Sequence, residues 1–165
     1  MTYKKIYNII LNSFTGIPEV TDINNDVTYY INWDKVYMPN TSYHMKFSFV
    51  SATNGLQGDI FVPKISIDAF SNVYNYENTV ADGLVQNGHI GTLKINNVLN
   101  NDGTNNTFDN YLYSNFDDNP PCYLEGKPMS NTIRVRILND EGSLYTNTAG
   151  SFSEYTLILS FIPLE

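Results

Sequence analysis

Thiols, histidines, basic residues and long apolar runs are all scarce in this 165-residue chain, and each scarcity closes off a class of function. The single cysteine, Cys122, has no second thiol with which to form an internal disulfide or a zinc pair, so it reads as a small buried or half-buried side chain beside Pro120-Pro121. Nine Lys and Arg stand against 17 Asp and Glu, for a net charge of -8, and the basic residues form no run. Binding to a phosphate backbone needs clustered cations, so no nucleic-acid partner is expected. The same balance opposes attraction to anionic lipid. No stretch approaches the roughly 20 apolar residues of a membrane span. The apolar run after Lys4-Lys5 is broken by Asn8 and Asn12 and has no signal-peptide core. The chain is therefore expected to be soluble, without membrane insertion, and made in a reducing compartment.

Two histidines leave little room for acid-base or metal chemistry. His44 alternates with Lys46 on the outer side of a predicted strand and reads as a solvated side chain rather than a base. His89, in NGHIG, reads as a turn residue, and no serine sits in a nucleophile-elbow motif. Neither has a second ligand at zinc spacing. Asp117-Asp118, Asp102 and Asp109 lie in or beside Asn-rich turn sequence, where a loop calcium site competes with plain turn chemistry, and turn chemistry is the expectation. No pair of carboxylates stands out as a glycosidase pair. The chain is expected not to be an enzyme and to carry no metal or cofactor.

What is present is strand-forming. Thirteen Tyr, nine Phe and many β-branched residues favour sheets, and Asn clusters such as Asn24-Asn25, Asn96-Asn97, Asn100-Asn101 and Asn105-Asn106 punctuate them. Eight strands are predicted, at 5–12, 27–33, 42–51, 59–68, 89–96, 108–115, 131–138 and 154–163. In the third, Tyr43, Met45, Phe47 and Phe49 alternate with His44, Lys46, Ser48 and Val50; in the seventh, Ile133, Val135 and Ile137 alternate with Thr132, Arg134 and Arg136. Period two puts one set inward and the other outward. Pro63 lacks a ladder donor and predicts an edge, a bulge or a break in the fourth strand. Turns are predicted at Asn54-Gly55, Asn87-Gly88, Asp102-Gly103 and Glu141-Gly142, and residues 71–84 suit a short extra strand or helix.

Eight strands with long connections at 13–26 and 69–88 predict an all-β fold, a single jelly-roll β-sandwich occupying residues 1–165 as one domain. Its order sets strands one, eight, three and six in one sheet and two, seven, four and five in the other. The final strand then lies between the first and third, so 42–51 should pair with 154–163, and 27–33 with 131–138. Phe47, Phe49, Val135, Leu157, Leu159 and Phe161 are the expected core. On the other side of the last strand, Ile158 and Ile162 mix with Thr156 and Ser160, near Val50. A sheet face without protecting charge suits a partner, so Val50, Ile158 and Ile162 are the candidate contact residues. Trp33, with Tyr30 and Tyr37, offers an alternative: an aromatic platform for stacking sugars in a lectin-like carbohydrate-binding module. The competing reading has Trp33 closing the core at the end of the second strand.

Several passages carry a resemblance: VTYYINWDKVYMPNTSYHMKFSF at 27–49, NPPCYLEGKPMSNTIRVRIL at 119–138 and YTLILSFIPLE at 155–165, with Asn12-Ser13 following the first strand. Their layout resembles the short minor capsid proteins of large eukaryotic DNA viruses and virophages, over most of the chain but not 69–107. The resemblance implies a single jelly roll packed against other capsid subunits, either a major capsid protein or copies of itself. It also implies a place in the virion after synthesis in the host cytoplasm, with the role of cement, pentonal or other left open.

Overall fold

Alternating side chains satisfy two demands at once in a sheet, pairing the backbone and segregating apolar from polar groups. A computed structural model describes residues 5–18, 25–33, 35–36, 38, 42–54, 64–67, 75–79, 83–87, 89–101, 106–126, 130–138, 144 and 154–164. The protein is mostly β, with antiparallel sheets and, among the described residues, one 3-10 turn at Ser13–Thr15. The strands are β1 (Tyr7–Asn12), β2 (Ile17–Pro18), β3 (Asp26–Tyr30), β4 (Ser42–Asn54), β5 (Lys64–Ile67), β6 (Asn75–Thr79) and β7 (Gly83–Asn87). They continue with β8 (His89–Thr92), β9 (Lys94–Asn101), β10 (Asn106–Ser114), β11 (Cys122–Glu125), β12 (Thr132–Leu138) and β13 (Tyr155–Pro163).

One sheet, here sheet A, has the order β1-β13-β4-β10-β9, with β11 also paired to β4; sheet B runs β2-β3-β12-β5-β8; β6 and β7 form a separate pair. Both expected pairings occur. β13 lies antiparallel to β4 with Leu159 opposite Phe47, and β12 to β3 with Val135 opposite Val27. The last strand is internal, flanked by β1 and β4.

The two larger sheets share one apolar cluster, giving a sandwich-like arrangement. Tyr43, Met45, Phe47 and Phe49 of β4 and Tyr155, Leu157, Leu159 and Phe161 of β13 are buried, as are Val27 and Tyr29 of β3 and Ile133, Val135 and Ile137 of β12. All six expected core residues belong to this cluster. Trp33, just past β3, packs edge-on against Phe161 with ring centroids 6.3 Å apart, and its indole N–H donates to the Ser130 carbonyl at 2.7 Å. Trp33 therefore closes the core. Deeper in, the Tyr29 hydroxyl donates to that of Tyr155 at 2.9 Å, a polar bridge between the sheets.

Several expectations need correction. The described strands number thirteen, not eight. The segment 89–96 is two strands in different sheets: β8 pairs with β5 and β9 with β10, so the chain changes sheets at the buried Leu93. His89 is accordingly a strand residue rather than a turn residue. The extra element in 71–84 is a strand, β6, whose partner β7 continues to Asn87. The short strand β11 was not expected. It follows β10 along the same side of β4, with Ser114 opposite Phe49 and Cys122 opposite Met45, so residues 115–121 leave the sheet and return. A register irregularity lies between Ile65 and Ser66, two residues after Pro63. Pro63 itself, Tyr37, Asp102-Gly103, Glu141-Gly142, Gly55 and Gly88 lie outside the described residues.

Candidate functional site

The outer face of sheet A is assembled from β1, β13, β4, β10 and β9. Register fixes its rows. Asn12, Thr156, Val50, Tyr113 and Lys94 are successive cross-strand partners over all five strands. The next row holds Ile10, Ile158 and Ser48; a third holds Asn8, Ser160 and Lys46; a fourth sets Ile162 beside His44 and Tyr123. Residues directly opposite in an antiparallel pair share a face. Thr156 Oγ1 donates to Asn12 Oδ1 at 2.8 Å, tying the first row across β1 and β13.

Of the sequence-derived candidates, Val50 is 54% exposed, while Ile158 and Ile162 are half-buried. The three share the outer face but do not form one compact cluster: Val50 is diagonal to Ile158, and Ile162 is two rows further on. Ile10, absent from the candidate set, is directly opposite Ile158 and is 61% exposed. Its signal was available, since Asn8, Ile10 and Asn12 alternate with the buried Ile9 and Leu11, and the expected strand order places β1 beside β13.

Among the described side chains of this face, both lysines are paired. Lys46 pairs with Asp117 at 2.7 Å, and Lys94 pairs with Asp118. Both carboxylates come from the 115–121 excursion. The backbone N–H of Asn115 and then the Lys94 ammonium hold the Asp118 carboxyl below its ordinary range, and Asp118 in turn raises Lys94. These aspartates act as lysine partners, and Asp118 also accepts a turn bond from the Asn115 N–H; among the described residues, no three His, Cys, Asp or Glu side chains cluster as metal ligands.

Asn119 holds the excursion in place. Its Oδ1 accepts from the Thr92 N–H at 2.9 Å, and its Nδ2 donates to the Thr92 carbonyl and to Ser114 Oγ, each at 3.0 Å. One side-chain amide thus satisfies both backbone groups of the residue before the chain changes sheets. A Cβ on Gly91 would lie 2.6 Å from Asn119 Cγ and 2.7 Å from Phe47 Cε1, so glycine permits this approach. Cys122 is buried, with its Sγ 3.6 Å from the Ile90 carbonyl.

Other notable polar groups are structural. Burial raises the Tyr29 phenol to about 12, partly offset by its bond to Tyr155, and burial raises Tyr155 further. Both stay neutral. The Tyr155 N–H donates to the buried Ser13 Oγ at 2.9 Å, which gives Asn12-Ser13 a physical role at the start of β13. Trp33 is 4% exposed and so presents no stacking surface, whereas Tyr30 is 73% exposed on the other sheet. Among the described residues, no helix is long and apolar enough to cross a membrane. No family model and no curated protein matches the chain.

Proposed function

We propose that the chain is a single jelly roll serving as a minor capsid component, acting by packing against other capsid subunits and not by catalysis. The orders β1-β13-β4-β10 and β3-β12-β5-β8 support the fold assignment, since they are the two four-stranded orders of a jelly roll, with β2, β9 and β11 as additions. The observation that carries the function is the outer face of sheet A. There Ile10, Val50, Ile158 and Ile162 lie among Thr, Ser and Asn, and the lysines are already paired.

A face of this kind contributes about 25 cal/mol per Å² of apolar area when a partner covers it, before the costs of association. Charged residues would ordinarily guard it. The partner is a neighbouring capsid protein, either the major one or another copy of this chain, and the site of action is the virion, reached after synthesis in the host cytoplasm. No cofactor, nucleic acid or membrane insertion enters the reading.

The test is particle incorporation. Ile158→Lys with Ile162→Lys, and separately Val50→Lys, are expected to melt close to the wild type yet be lost from assembled particles. Normal incorporation of all the folded Lys variants would refute this face as the contact. The exposed Val50 keeps the test valid if the half-buried isoleucines prove necessary for folding.

A further inference from the structure

We propose that β1 pairs edge to edge with β1 of a second copy, joining two A sheets into one continuous sheet across a two-fold axis. Among the described residues, β1 has a strand on one side only, β13. From Ile6 to Pro18 the chain carries no charged side chain. Within it lie four of the seven large apolar side chains that stand exposed among the described residues: Ile6 at 52%, Ile10 at 61%, Phe14 at 66% and Ile17 at 54%. Edge strands are ordinarily guarded by charge, proline or a covering element because their unpaired N–H and C=O groups template further pairing. Here β1 itself, Tyr7–Asn12, is neutral throughout and exposes Ile10; Ile6 precedes it, while Phe14 lies in the following 3-10 turn and Ile17 in β2 of sheet B.

The occupant follows from the sequence of the strand. Around Ile10, NIILN reads the same in polarity in both directions: Ile9 and Leu11 are buried, Asn8 and Asn12 flank them, and Ile6 and Phe14 lie one step beyond. An antiparallel pair centred on Ile10 sets Ile10 opposite Ile10 of the second copy, Asn8 opposite Asn12, and Ile9 opposite Leu11. From position 8 to position 12 like meets like and inward residues stay inward; Tyr7 falls opposite Ser13, which lies past the strand in the 3-10 turn. Such self-complementarity is what an isologous two-fold interface requires. It also places both Ile10–Ile158 rows side by side, so the outer faces merge into one surface. A second copy satisfies this register over the five residues 8–12.

This dimer does not rest on the capsid reading and is tested on the purified chain alone. Sedimentation between about 1 µM and about 1 mM, a range matched to a small interface, is expected to show a reversible monomer–dimer equilibrium. Added salt should strengthen it, because each chain carries a net charge of -8 and that repulsion is screened. Ile10→Lys, at an exposed position, sets two like charges opposite each other and should weaken dimerisation at least tenfold without changing Tm.

Under mild oxidation Ile10→Cys should give a disulfide-linked dimer. Directly opposed Cα atoms are about 4.5 to 5.5 Å apart, within disulfide reach. Asn8→Cys should not, its symmetry mate lying about 14 Å away along the strand. A chain that stays monomeric over the whole range overturns the proposal. So does a dimer that ignores Ile10→Lys, or one that cross-links at position 8 rather than 10.

Discussion

Replacing Tyr155 by Phe removes one oxygen from the centre of the sandwich and should cost more than its size suggests. The Tyr29 hydroxyl donates to that oxygen at 2.9 Å, and both residues are at most 4% exposed, so in the variant a buried hydroxyl loses its acceptor. An unsatisfied buried polar group costs about 1 to 3 kcal/mol, and the stack of ring 155 on Phe49, 5.1 Å between centroids, is retained. With a urea m-value of about 2 kcal/mol/M, a loss of ~2 kcal/mol moves the midpoint by about 1 M. Tyr29→Phe should cost a similar amount by orphaning the other oxygen. The double variant orphans neither, and it should lie within about 1 kcal/mol of the wild type. Urea titration followed by the fluorescence of the sole tryptophan, the buried Trp33, measures the cycle. The predicted coupling is about 1 to 3 kcal/mol; single losses that simply add, within about 0.5 kcal/mol, would show that the two hydroxyls do not depend on each other.

The same pair sets a pH dependence. Tyr29 is raised to about 12 by burial, against 10.0 unfolded, so its contribution is complete below pH 10 and is lost as pH rises toward 12. Denaturation at stepped alkaline pH should show a slope near -1.4 kcal/mol per pH unit for each such phenol, and the double Phe variant should lose the share of Tyr29 and Tyr155 while keeping that of the buried Tyr43. Phe161→Ala removes a ring with no exposed surface that meets Trp33 and Tyr43 edge-on, each at 6.3 Å; it should cost about 3 to 5 kcal/mol and lower Tm by about 10 °C, and a near-native Tm would remove Phe161 from the core. Gly91→Ala should destabilise by about 1 to 3 kcal/mol through its clash with Asn119 and Phe47, and its effect should be smaller in an Asn119→Ala background, as paired thermal melts would show.

The strands that were legible are those with long alternation and a protein face on one side only. In β4, β12 and β13 the buried apolar positions fall at every second residue, with Leu138 at the end of β12 the exception and Ser160 a buried polar residue on the other side of β13, and period two alone assigns both faces. β11 was not legible because Cys122 and Leu124 supply only two inward positions between Pro121 and Gly126, too few for periodicity to register. HIGTLKIN was misread as one strand for a subtler reason. Its buried residues Ile90 and Leu93 are three apart, which one flat strand cannot place on one face, and that slip of phase marks the change of sheet. The candidate face was only partly legible, because it depends on pairing. Val50, Ile158 and Ile162 follow from alternation within their own strands, but Ile10 joins them only once β1 is set beside β13. The role of Asn119 could not be read locally, since its partner Thr92 lies 27 residues away.

The two outer faces differ in a way that bears on assembly. On sheet B, the nearly buried Asp26 carboxylate accepts two bonds from the Arg134 guanidinium, both 2.7 Å, and Arg136 lies opposite Asp26. Charge there holds strands to each other across the solvent side. On sheet A the comparable lysines are drawn off by Asp117 and Asp118, and the middle of the face is left to Ile, Val, Thr and Ser. Because β13 is paired on both sides and buries Tyr155, Leu157, Leu159 and Phe161 beneath, its register is set from below. Its upper side chains do not set that register: Thr156, Ile158 and Ile162 are half-buried and Ser160 is buried. A slip by one residue would carry the four buried side chains to the surface, a loss far greater than any contact on the outer face could offset. On the proposed reading, folding and surface recognition are carried by opposite sides of the same strand, which is why a Lys substitution at an exposed position of this sheet is expected to separate assembly from stability.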